Sequence, residues 1–150
     1  MNHVDFVKSL YAAFLNGQID KILAGADPNI EWQSNADPLL LPWGGERRGL
    51  HEIRAYFSQL AANVEIESFT PRDFCAGINF VVVMGHTKGR MKHSGGRFED
   101  EWAHFFRIIG GKVVSFREYF DTHAVVQAYV GGDIHSVGLP AGAESPAQRH

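Results

Sequence analysis

One cysteine, Cys75, stands alone in the 150 residues, so no internal disulfide can form and the fold does not depend on an oxidising compartment. Cationic side chains never gather beyond the pair Arg47-Arg48. With a net charge of −3, the chain has no electrostatic footprint for nucleic acid or an anionic membrane. No apolar run approaches the roughly 20 residues of a membrane span. The start "MNHVDFVKSLYAAF" has acidic and polar residues where a signal peptide needs a basic start and an apolar block. A soluble protein in the cytoplasm is expected. His51, His86 and His93 have no metal-ligand spacing, and no Lys-Ser/Thr follows the glycines of "PWGG", so neither a metal centre nor a phosphate loop is read here. Cys75 itself falls in a strand candidate and reads as inert core. Internal repeats are absent too.

What is present is a hydrophobic fraction of 45% and an aromatic fraction of 12%, with eleven phenylalanines. That many large side chains suit a bulky interior or a lined cavity. The length allows one domain with a sizeable core, read as residues 1–131. The Gly/Pro/Ser-rich remainder, 132–150, reads as a loosely packed tail.

Val4, Val7, Leu10, Tyr11, Phe14 and Leu15 recur at helical spacing over residues 3–16, and Gly17 closes the helix. "QIDKILAGA" reads as a second, short helix, and "NIEWQ" as a short strand. The stretch "SNADPLLLPWGGERRG" is a loop by its Pro and Gly content, yet its three leucines and Trp43 must cover something. Residues 50–63 form a third helix with Ile53, Tyr56, Phe57 and Leu60 on one face. Four long strand candidates follow over 64–76, 79–91, 96–109 and 112–120, then a terminal helix capped by Asp121 or Thr122. Helices gathered on one face of a curved antiparallel sheet give an α+β fold with a pocket at its open end.

Gly110-Gly111 between apolar strands suits a two-residue primed turn. Counting outward from it pairs Ile108 with Val113, Phe106 with Ser115, His104 with Arg117, Trp102 with Tyr119, and Asp100 with Asp121. All ten then share one sheet face. That face passes from apolar near the turn to polar further out, the make-up of a small-ligand site. The opposite face, with Phe105, Arg107, Phe116 and Glu118, mixes rings and charges and suits partial cover by a partner subunit. A single β-bulge in either strand would move part of the set to the other face.

The segments "YAAFLNGQIDKILAGADPNIEW", "LPWGGERRG" and "FEDEWAHFFRIIGGKVVSFREYFDT" together resemble the SnoaL-like, ketosteroid-isomerase-related proteins of the nuclear-transport-factor-2-like superfamily. The resemblance implies a cone-shaped barrel: a curved antiparallel or mixed sheet wraps three N-terminal helices around a deep pocket. It also implies a homodimer packed through the sheet. It does not fix a reaction, since fold does not fix function. In the cyclase branch a His and an Asp in the pocket do the acid/base work, and the resemblance carries these roles onto His104 and Asp121.

The function expected is a cofactor-independent acid/base enzyme of the isomerase, cyclase or hydratase type, acting on a small, mostly apolar carbonyl compound. Asp121 would be the base, or no more than a helix cap, and His104 the acid or relay. Tyr119 or Arg117 would steady the oxygen that gains charge, although Arg117 could instead pair with Asp100, Asp121 or Glu101. Trp102, Phe106, Trp32, Trp43, Tyr11 and Phe57 complete the expected pocket wall. The alternatives are a non-catalytic binder of a hydrophobic metabolite and a dimeric scaffold with a vestigial pocket, the latter marked by a cavity below roughly 100 Å3.

Overall fold

Asn2 opens the first helix by accepting a hydrogen bond from the Asp5 backbone N–H at 2.8 Å, which satisfies one of the free donors of the first turn. The computed structural model describes residues 1–131; the tail expected over 132–150 lies outside the described residues. In chain order the elements are α1 (His3–Leu15), α2 (Ile19–Ala24), β1 (Ala26–Ser34), β2 (Gly45–Arg48) and α3 (Gly49–Asn63). Then come β3 (Val64–Ala76), β4 (Phe80–Met91), β5 (Arg97–Ile109), β6 (Lys112–Tyr119) and α4 (Thr122–Val130).

The six strands form one mixed sheet in the order β2-β1-β6-β5-β4-β3. β1 runs parallel to β6, and every other pairing is antiparallel. The expected α+β architecture is therefore present, helices packed on one face of a curved sheet. α1 buries Val7, Leu10, Tyr11 and Ala13 against that face, and α3 buries Ile53, Tyr56 and Phe57. These residues recur every three or four positions, so each helix turns one apolar stripe inward.

Two local expectations change. Residues 45–48, read as loop, form β2 and pair with Glu31–Ser34 of β1. A four-residue edge strand starting on glycine is too short to show an alternating pattern. Of the three leucines before it, Leu41 enters the core together with Trp43, whereas Leu39 and Leu40 are exposed. Cys75 is exposed rather than core, because β3 is the sheet's outer edge and its register shifts twice along the strand.

The β5–β6 hairpin turns on Gly110 and Gly111, both at positive φ (60° and 78°), as a type I′ connection requires. Immediately after the turn the register slips. Ile108 faces Val113, but Arg107 faces Ser115, leaving Val114 as the extra residue of a β-bulge. From there outward every β6 partner is one residue later than an unbroken count gives. His104 faces Glu118, Phe105 faces Arg117, and Ala103 faces Tyr119.

Candidate active site

The bulge decides which β6 side chains meet the helices. On β5 the inward residues are Asp100, Trp102, His104, Phe106 and Ile108, all buried. On β6 they are Val113, Phe116 and Glu118. Arg117 and Tyr119, expected on the pocket face, lie on the outer face of the sheet instead, Tyr119 being 48% exposed. Asp121 is exposed as well; its carboxylate accepts from the Ala124 N–H at 3.1 Å and caps α4. The bland role foreseen for Asp121 is the one the geometry supports, and the place of an inward acid passes to Asp100 and Glu118.

Between the sheet and the helices lies a cavity of about 140 Å3. The structure sets Tyr11, Trp32, Trp43, Phe57, Trp102, His104 and Phe106 on its walls, and does not bring Arg117, Tyr119 or Asp121 to it. Its polar side chains include His104, Asp100, Glu118 and Thr87, and among the described residues that line it there is no Lys or Arg.

Each polar group is held by its own support. Gly85 of β4 has no Cβ, and one placed there would come within 2.3 Å of the Trp102 ring, so the glycine makes the berth for the indole. Trp102 donates its Nε1–H to Thr87 Oγ1 at 2.8 Å and stacks on His104 at 3.9 Å between ring centres. His104 Nδ1 lies 2.8 Å from the Tyr11 hydroxyl, and its Nε2 lies 3.7 Å from Glu118 Oε2. The other Glu118 oxygen accepts from the Tyr56 hydroxyl at 3.0 Å. Arg47 of β2 steadies that tyrosine from behind, donating to Gln59 Oε1 at 2.6 Å while its guanidinium lies over the Tyr56 ring. Asp100 Oδ1 accepts from the Asp121 backbone N–H at 2.8 Å, tying β5 to the start of α4.

Burial governs the charges. It lowers the His104 pKa to about 3, so the imidazole is neutral. Burial raises Glu118; the Ser34 and Tyr56 hydroxyls pull it back down, although the Ser34 hydroxyl is near the carboxyl without a hydrogen bond of good geometry. Asp100 is raised to about 7, chiefly by burial, with the Asp121 N–H opposing and the charges of Glu118 and Asp121 adding to the rise. Burial also raises the Tyr11 phenol, so it stays protonated. A carboxyl titrating near neutrality, lining the same cavity as a neutral, hydrogen-bonded imidazole and phenol, can take up and return a proton. Among the described residues no three His, Cys, Asp or Glu side chains come together as metal ligands.

The family model of the SnoaL-like domain matches residues 7–116. The chain belongs to the SnoaL-like domain family. This SnoaL-like chain is similar to an NTF2-like protein from Burkholderia xenovorans, with 34% identity, 84% of this chain and 94% of that one covered, and a TM-score of 0.76. An NTF2-like protein from Burkholderia thailandensis is 28% identical over 83% and 94% of the two chains, with a TM-score of 0.74. TerC, co-crystallised with polyporic acid, is 22% identical over 85% and 97%, with a TM-score of 0.74, a likeness of fold. A search of curated proteins found no match.

Counting across the hairpin missed Glu118 because one bulge residue reverses the face of all that follows. The signal that could have found it is the sequence "SFREYF": placing Phe116 inward with the other core rings puts Glu118, not Arg117, on the same side.

Proposed function

We propose that this SnoaL-like protein is a small-molecule enzyme that moves a proton next to a carbonyl group of a mostly apolar substrate without a cofactor. The observation that carries the reading is the meeting, in one aromatic-walled cavity, of Asp100 with the Tyr11–His104 pair. Asp100, as carboxylate, takes a proton from the carbon beside the carbonyl. The carbonyl oxygen gains charge and is held by hydrogen bonds from the Tyr11–His104 side of the cavity. Asp100 then returns the proton to the same or another atom of the substrate, which closes an isomerisation or a ring-forming step. A base with a pKa of about 7 serves this well, since half of it is free at neutral pH and its conjugate acid still gives the proton back.

Apolar walls select the rest of the substrate. A void of about 140 Å3 compares with engineered cavities of roughly 150 Å3 that hold benzene, so a single-ring compound fits without rearrangement. The size also stands above the limit set for a vestigial pocket. That a protein of this fold, TerC, was co-crystallised with polyporic acid supports a small organic ligand here. The outer sheet face, where Phe80 stacks on Phe105 at 5.7 Å and Met84 and Tyr119 are half-exposed, is assigned to self-association as a homodimer. No helix among the described residues is long and apolar enough to cross a membrane; a cytoplasmic location is part of the proposal.

The test is deuterium incorporation from D2O into a panel of small aryl ketones, followed by proton NMR. Wild type should label the carbon next to the carbonyl, and Asp100→Asn should not. Equal labelling by both proteins would remove Asp100 from the chemistry. Binding without labelling in either protein would favour the non-catalytic binder.

A further inference from the structure

We propose that Glu118 sets the direction of the hydrogen-bond chain Glu118–His104–Tyr11, and so decides whether Tyr11 offers the cavity a proton or a lone pair. Glu118 is then a specificity-determining residue for the ligand's oxygen, acting through His104. The proposal rests on the reading of the cavity as a ligand site.

His104 has little freedom to choose its partners. Its ring is stacked on Trp102 at an angle of 16°, and Trp102 is pinned by Thr87 on one side and by the berth at Gly85 on the other. In this plane Nδ1 reaches Tyr11 at 2.8 Å and Nε2 points to Glu118 at 3.7 Å, close enough for a small side-chain rotation to complete the bond. A neutral imidazole has one N–H and one lone pair, so what happens at one nitrogen fixes the role of the other.

Two arrangements follow. With Glu118 ionised, the carboxylate draws the ring proton to Nε2, and Nδ1 accepts from the Tyr11 hydroxyl. The phenol has then spent its only proton and shows the cavity lone pairs. With Glu118 protonated, its O–H faces Nε2, the ring proton sits on Nδ1, and Nδ1–H donates to the Tyr11 oxygen. The phenol O–H is then free to donate to a carbonyl oxygen. The two states differ by the one proton that Glu118 gains from or loses to solvent.

The groups that set the state of Glu118 come from every element around it. They are Tyr11 of α1, Ser34 of β1, Tyr56 of α3 with Arg47 of β2 behind it, and His104 and Asp100 of β5. Burial favours the protonated carboxyl, and the two hydroxyls favour the ionised one. No Lys or Arg among the described lining residues competes for the ligand's oxygen; besides Tyr11, the Thr87 hydroxyl and the acid form of Asp100 line the cavity and can donate to it.

Long-range proton–nitrogen NMR spectra of 15N-labelled protein report which nitrogen of His104 is protonated, with no ligand needed. Glu118→Gln keeps the shape and cannot ionise; its amide N–H faces Nε2, so His104 should hold the Nδ1–H form at every accessible pH. Wild type should pass from the Nδ1–H to the Nε2–H form as pH rises. Affinities for acetophenone, which only accepts, and 1-phenylethanol, which also donates, complete the test. Measured with Asp100→Asn present in both proteins, which silences the other titrating carboxyl of the cavity, their ratio should stay constant with pH when Glu118→Gln is added and fall roughly fivefold when Glu118 is kept, the worth of one hydrogen bond. An identical tautomer in both proteins throughout, or a ratio that does not follow Glu118, overturns the assignment. If neither probe binds while the tautomer changes, the ligand-site reading fails and the selectivity falls with it.

Discussion

Replacing Asp100 by Asn should stabilise the protein above neutral pH and do little in mild acid. Asp100 is only 7% exposed, and its carboxyl titrates near 7 in the folded chain against an ordinary value of 3.8. A carboxyl with a raised folded pKa holds its proton where the unfolded chain has already lost it. Stability due to this group is therefore greatest in acid, falls as pH rises from about 4 to about 7, and is flat above. A three-unit difference would be worth about 4 kcal/mol at full strength; because the free oxygen opens onto the cavity, about 2 kcal/mol is the fair expectation. Asn retains an oxygen able to accept from the Asp121 N–H, so the tie between β5 and α4 survives. In thermal melts at pH 8 the variant should then gain about 6 °C over wild type, and almost nothing at pH 4.5. A variant that loses stability equally at both pH values would refute the reasoning, since it would mean that the charged carboxylate is a favourable part of the fold.

Other perturbations separate the cavity from its surroundings. Gly85→Ala puts a methyl into the Trp102 ring and should cost about 2 kcal/mol in chemical denaturation, with a shift in tryptophan emission. Asp121→Ala removes the α4 cap and should lower stability by about 1 kcal/mol while ketone labelling continues, because the side chain lies outside the cavity. Tyr119→Ala and Arg117→Ala, on the outer face, should leave probe affinity unchanged; Tyr119→Ala should also shift the sedimentation profile towards monomer.

The architecture was legible because it rests on repeated patterns. Three- and four-residue spacing gave α1 and α3, alternation gave the strands, and Gly110-Gly111 gave the last turn. His104, Trp102 and Phe106 came out on the right face since they lie on β5, the strand without the bulge, and their own alternation is unbroken. Arg117 and Tyr119 came out wrong for a reason invisible in composition. Val114 is as good a strand residue as its neighbours, and only the packing of Phe116 under Trp32, with ring centres 4.0 Å apart, shows which of two registers buries more. Tyr56 was read as core, and its hydroxyl's contact with Glu118 depends on two elements 62 positions apart meeting in space.

The most direct test of the account is where a bound ketone sits. A crystal structure with acetophenone should show the ring among Trp102, Phe106 and Phe116, the carbonyl oxygen within hydrogen-bond reach of the Tyr11 hydroxyl, and the methyl facing Asp100. An empty cavity with the ketone held on the outer sheet face would contradict it.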